Sequence, residues 1–259
     1  MAAYRLALLL IILVSFPRHA VARSSSKAGL AWPNGPYVDM NQFMITSRAQ
    51  CSVGYQTLEF VPMLWRESQV SDWERSINNT ISYQHVTHAL GFNEPEQSEP
   101  LKAQGILIGT PAPSSAPVGK QWLLQWLDAC QGGCTVDFVA LHWYDINSMP
   151  FVVYLEDFYE TFQRPIWVTE WACQNYNQAD NQCSLQDIVT FMDATQAFMD
   201  DMQWVERYAW FGAIENMQGV NADNALITSS GNINIGSIVP NVSSNHRPSD
   251  VYVSQMQYI

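Results

Sequence analysis

Seven short, continuous apolar runs constrain this chain more than any other feature. They occupy 28–32, 58–64, 86–92, 106–110, 136–142, 166–169 and 207–211. Runs of four to eight apolar residues, such as FVPML and DFVALHW, suit strands buried on both faces, which is the environment of a parallel sheet. Stretches with helical spacing lie between several of them, at 71–78, 120–129, 149–162 and 184–202. Strands alternating with helices predict an α/β fold with parallel strands.

Two stretches break the alternation. A second strand is due at 47–57, where RAQCSVGYQ is polar and short, so this strand is predicted to be shortened or missing. The thirteen residues from Asn93 to Gly105 must carry the chain back to the next parallel strand, yet contain Pro95 and Pro100. A crossover ordinarily takes a dozen or more residues, mostly helical, so the helix after this fourth strand is predicted to be truncated.

Two runs end in a glutamate, ALGFNEPE at Glu94 and PIWVTEWAC at Glu170. A carboxylate at the end of a buried strand must be partnered, titrated abnormally or used, because desolvating a lone charge is costly. In a closed α/β barrel all parallel strands open at one face, so carboxylates from different strands converge there. Glycoside hydrolysis needs such a pair.

Bulk properties narrow the partners. The formal charge is −12 with only 12 Lys plus Arg, which disfavours a nucleic-acid partner and suits a neutral or cationic polymer. Ten Trp, eleven Tyr and eleven Phe supply faces that stack on sugar rings, although most are expected in the core. Arg5, the apolar run 6–14 and the small residues Ala20 and Ala22 predict a secretory signal over 1–22. That run is too short to span a bilayer, so the chain after cleavage is expected to be secreted, extracellular or in a cell wall, with no membrane segment. About 237 residues then remain, which suits one barrel-sized domain over 23–259. Sequons at Asn78 and Asn241 agree with export but are weak motifs. Of five cysteines, the spacing pairs Cys130 with Cys134 and Cys173 with Cys183, leaving Cys51 over; it matches no usual zinc site.

In order, LEFVPMLW, VTHALGFNEP, TVDFVALHWYDIN, PIWVTEWACQNYN and ERYAWFGA resemble the strand motifs of glycoside hydrolase family 128, a group that includes fungal alkali-sensitive-linkage proteins. The resemblance spans about 28–236. It implies a (β/α)8 barrel that cleaves β-1,3-glucan with retention and without a cofactor. Against that pattern the second strand and the helix after the fourth are shortened, and 237–255 is an irregular insertion.

By the resemblance Glu94 is the acid/base and Glu170 the nucleophile. The bland alternative is a helix cap or an arginine partner, which Asn-Glu-Pro and Thr-Glu-Trp at two strand ends make the weaker reading. Asn93 is a candidate donor to the sugar 2-hydroxyl or an Asx turn into Pro95. His142 and Tyr144, two apart at a strand end, face the same way and are candidates to orient Glu170. For His142 a satisfied core histidine is the equal alternative, and for His85 and His88 it is the expected one. Trp210, in register with Tyr208 on the last strand, is a candidate floor beneath the sugar, and Trp65 a further subsite. Trp32, Trp122, Trp126, Trp167 and Trp204 are assigned to helix-to-barrel packing. Three activities compete: an exported endo-acting β-1,3-glucanase, a glucan-binding wall protein on a damaged barrel, and another retaining β-glycanase of different linkage.

Overall fold

The computed structural model describes residues 25, 27–31, 59–64, 70–91 and 99–231. The elements run β1 (Ala28–Leu30), α1 (Val70–Tyr83), β2 (His88–Ala89), α2 (Glu99–Lys102), β3 (Leu107–Ile108), α3 (Pro117–Ala129), β4 (Val139–Asp145), α4 (Ser148–Phe162), β5 (Ile166–Cys173), α5 (Leu185–Asp201) and β6 (Val205–Trp210). A 3-10 turn follows at Ala222–Asn224.

Every strand pairing is parallel. One sheet has the order β1-β6-β5-β4 and a second pairs β2 with β3. Parallel bridges join the rest, Gly109 to Phe138 linking β3 with β4, and Met63 to Leu90 adding 59–64 beside β2. Among the described residues the result is one array of seven staves in the order 59–64, β2, β3, β4, β5, β6, β1. Its ends meet, because Met63 packs on Ala31 and Ala209 and the Arg207 guanidinium lies 2.7 Å from Glu59. This is the parallel α/β arrangement expected from the alternation, closed into the kind of barrel that the resemblance implies.

The two predicted irregularities fare differently. Among the described residues of the crossover after β2 stands α2, a single turn of four residues, in keeping with the truncation expected there. The position of the second strand, the signal segment, the insertion at 237–255, Asn241, Trp32 and Cys51 lie outside the described residues.

Side chains divide into an inner and an outer layer. Val61, Leu90, Phe138, Ala140 and Trp167 fill the interior, with Trp167 stacked 4.0 Å from Phe138. Leu141, Val168, Phe151, Leu155, Ile188 and Met192 pack the helices α4 and α5 against the outer face. Helix α5 starts where the sequence signals it, with a capping box between Ser184 and Asp187. Gly109 sits where a Cβ would lie 2.4 Å from the Phe138 ring, so a side chain there would collide with the inner layer.

At one end of the interior, Glu59, His88 and Arg207 form a polar cluster. Glu59 Oε1 lies 2.7 Å from His88 Nδ1 and accepts from the Thr87 hydroxyl at 2.5 Å. His88 is thus a satisfied core histidine, as expected, and Arg207 stacks 4.2 Å over Trp167. Burial alone would raise the Glu59 pKa, but bonds from His88 and Thr87 and the Arg207 charge outweigh it and hold the carboxyl at about 2.

Candidate active site

Strand β5 carries Glu170, and a register shift decides which way it points. Val168 and Trp171, three residues apart, both pack in the outer layer, whereas regular alternation would separate such residues by two. The partner strand β4 advances by one over the same interval, pairing Leu141 with Val168 and His142 with Glu170. Thr169 is therefore the extra residue of a bulge, and Glu170 turns into the barrel instead of toward the helices.

There the structure brings three of the sequence candidates together. The Tyr144 hydroxyl donates to Glu170 Oε2 at 2.7 Å, and His142 Nδ1 lies 3.5 Å from the same oxygen. A carboxylate bonded by a phenol is held in one orientation, leaving its other oxygen directed elsewhere. Burial lowers the His142 pKa below 6.5, with the Glu170 charge opposing, so the imidazole is neutral at neutral pH. Among the described residues no partner reaches its buried Nε2. A proton on Nδ1, facing Glu170, leaves Nε2 as an acceptor.

Aromatic rings wall this carboxylate. Tyr144 meets Tyr176 edge-on at 5.5 Å and Phe211 at 5.8 Å. Tyr176 is 62% exposed, and partial burial together with the Glu170 charge raises its pKa, keeping the phenol a donor. It rides on the loop that the Cys173–Cys183 disulfide closes at the end of β5. Gln182 and Asn175 cross-link that loop, with Asn175 N donating to Gln182 Oε1 at 3.0 Å. Buried Asn224 grips both backbone groups of Cys173, at 3.1 and 3.0 Å. Both disulfides form as the spacing predicts, Cys130–Cys134 being the other. Tyr176, Phe211 and Asn224 were not singled out from the sequence. Tyr176 alone had a signal, its place inside a short Cys-bounded loop after Glu170.

Trp210 is not brought to the site. An extra residue, Glu206, shifts the register of β6 so that Arg207 and Ala209 face the interior while Tyr208 and Trp210 face the helices. The Trp210 ring packs against Trp171 at 5.0 Å and donates to the Asn224 carbonyl at 3.0 Å. The reading of Trp210 as a floor beneath the sugar is corrected accordingly: its alternation with Tyr208 holds, but on the opposite side. Asn93, Glu94 and Trp65 lie outside the described residues. Among the described residues no group of three or more His, Cys, Asp or Glu could hold a metal ion, and no helix is long and apolar enough to cross a membrane.

The sequence matches the family described as glycosyl hydrolase catalytic core over residues 41–104 and 96–238. The chain belongs to this glycoside hydrolase family. Alkali-sensitive linkage protein 1 of Schizosaccharomyces pombe is 36% identical over 166 residues, which cover 56% of this chain and 30% of that protein. The chain thus spans less than a third of that relative's length. Among solved structures, a family 128 (subgroup I) endo-β-1,3-glucanase from Amycolatopsis mediterranei, in complex with laminaritriose, is 26% identical with a TM-score of 0.55. The match covers 71% of this chain and 80% of that one. A subgroup V exo-β-1,3-glucanase from Cryptococcus neoformans shares the fold at 20% identity and a TM-score of 0.61, over 83% of this chain and 99% of its own. The family 128 resemblance carried by the five strand motifs is thus borne out, and with it a glycoside hydrolase barrel.

Proposed function

We propose that this chain is an exported retaining glycoside hydrolase of β-1,3-glucan, with Glu170 as nucleophile and Glu94 as acid/base. One observation carries the reading: the bulge in β5 turns Glu170 inward onto Tyr144, at 2.7 Å, and His142, at 3.5 Å, at the end of the strand where barrel enzymes work. The printed activities of the family 128 structures, endo- and exo-β-1,3-glucanases, supply the linkage.

In the first step a Glu170 oxygen attacks the anomeric carbon as the glycosidic C–O bond breaks, and Glu94 gives its proton to the departing oxygen. A covalent glycosyl ester on Glu170 results. In the second step Glu94, now ionised, removes a proton from water, whose oxygen displaces Glu170 and restores both carboxyls. Tyr144 occupies one oxygen of Glu170 and so selects which one attacks. Neutral His142 sits beside the carboxylate without adding a charge. Tyr176 and Phe211 present aromatic surface to a sugar ring.

The test is release of reducing ends from a linear β-1,3-glucan by the purified secreted protein and by Glu170→Gln. Release that the substitution abolishes supports the reading. Binding of the glucan by well-folded protein without release would leave a glucan-binding wall protein instead.

A further inference from the structure

On the loop that follows β3, a cleft of about 510 Å3 is lined by Pro113, Ser114, Val118, Gln121, Trp122 and Gln125. Val118, Gln121, Trp122 and Gln125 follow the i, i+3, i+4, i+7 spacing of one helical face, that of α3. This face does not pack on the barrel: Val118 is 67% and Trp122 42% exposed. The expectation that Trp122 serves helix-to-barrel packing is therefore corrected; Leu123, beside it, does that work and is fully buried.

The cleft is a built feature. Gly119 lies so close to the preceding loop that a Cβ there would stand 2.2 Å from the Ser114 carbonyl oxygen, so the helix and the loop approach as only glycine permits. The loop is continuous with the candidate active site, because the Pro113 carbonyl accepts from the backbone N–H of His142 at 3.4 Å. Both lie at the strand ends where Glu170 faces the interior.

Its chemistry selects a class of ligand. Among the described residues no ionisable side chain lines the cleft. Phosphates, carboxylates and amines would find no counter-charge there. What it offers is one indole, one hydroxyl and two primary amides, which suits a neutral polyhydroxylated ring with one apolar face.

We propose that this cleft is an accessory binding site for a glucan chain, with Trp122 as the stacking platform and Ser114, Gln121 and Gln125 as hydrogen-bonding groups. The choice of a β-1,3-linked chain rests on the function proposed above. Binding there would hold the polymer beside the barrel mouth and raise its local concentration at Glu170.

The experiment is calorimetric titration of a linear β-1,3-linked glucose hexamer into Glu170→Gln, which keeps the probe intact, and into the same chain with Trp122→Ala or Trp122→Phe. Because Trp122 is on the surface, all three should melt together, which excludes unfolding as the cause of any difference. Trp122→Ala is expected to weaken the hexamer about tenfold, and Trp122→Phe to restore most of the loss. Equal affinities for the three chains, or no binding by Glu170→Gln, would overturn the inference. Hydrolysis is read separately, from the unsubstituted protein. Trp122-dependent binding without hydrolysis would refute the catalytic reading and leave this one standing, whereas hydrolysis without Trp122 dependence would do the reverse.

Discussion

Replacing Glu59 by Gln should destabilise the barrel in a way that depends on pH. The carboxylate is 4% exposed and touches His88, Thr87 and Arg207, the last from β6 on the other side of the point where the array closes. Its pKa falls from an ordinary 4.5 to about 2 on folding. At about 1.36 kcal/mol per unit, the ionised group contributes about 3 kcal/mol at pH 7. The folded value lies below the unfolded one, so this contribution is complete above pH 4.5 and is lost as pH falls toward 2. At pH 3 about 1 kcal/mol remains. Gln preserves the shape but removes the charge facing a buried guanidinium, a change that costs about 3–5 kcal/mol in other buried pairs. Urea unfolding of both proteins at pH 7 and pH 3 measures the difference, which should shrink by more than half at the lower pH. A difference under about 1 kcal/mol at pH 7, or one independent of pH, would refute the idea that this cluster ties the ends of the barrel together.

Tyr144→Phe removes the 2.7 Å bond that orients Glu170. A hydrogen bond to a charged group is worth about 1.5–3 kcal/mol, so kcat on β-1,3-glucan should fall about 10- to 150-fold with a small change in KM. Converting Cys173 and Cys183 together to Ser frees the loop bearing Tyr176. The chain-entropy account predicts a loss of about 3 kcal/mol, read by denaturation, and KM should rise because Tyr176 is no longer held beside Tyr144. Gly109→Ala drives a methyl into the Phe138 ring and should lower stability by about 1–3 kcal/mol in the same assay. NMR titration of His142 should give a midpoint below 6.5, since burial disfavours its charged form.

Much of this was legible from local pattern. Helix α5 covers Leu185–Asp201 against an expected 184–202, and α4 covers Ser148–Phe162 against an expected 149–162. Both cysteine pairs follow from short separations, which chain entropy favours. Strand ends were read less well: β5 runs on to Cys173 and β4 to Asp145, past the expected limits, because parallel neighbours extend pairing that propensity alone would stop. Of the site candidates, Glu170, His142 and Tyr144 converge, since His142 and Tyr144 sit two apart on one strand beside Glu170 on the next. Trp210 and Trp122 were misread for one reason. Whether a ring on a strand or helix faces the interior, a neighbouring element or solvent depends on what packs over it, and that is absent from the sequence.

The sequence by itself determined the parallel α/β alternation, the shortness of the helix at Glu99–Lys102, the cysteine pairs and a glutamate at the end of an apolar strand. These follow from the periods of strand and helix and from the reach of a short chain. Only the tertiary structure decided that Glu170 looks inward and Trp210 outward. One extra residue in each of β5 and β6 inverts the alternation beyond it, and where it falls is set by pairing with the adjacent strand. The cluster of Glu59, His88 and Arg207 is likewise a product of closure, since no local pattern brings the stave 59–64 to β6.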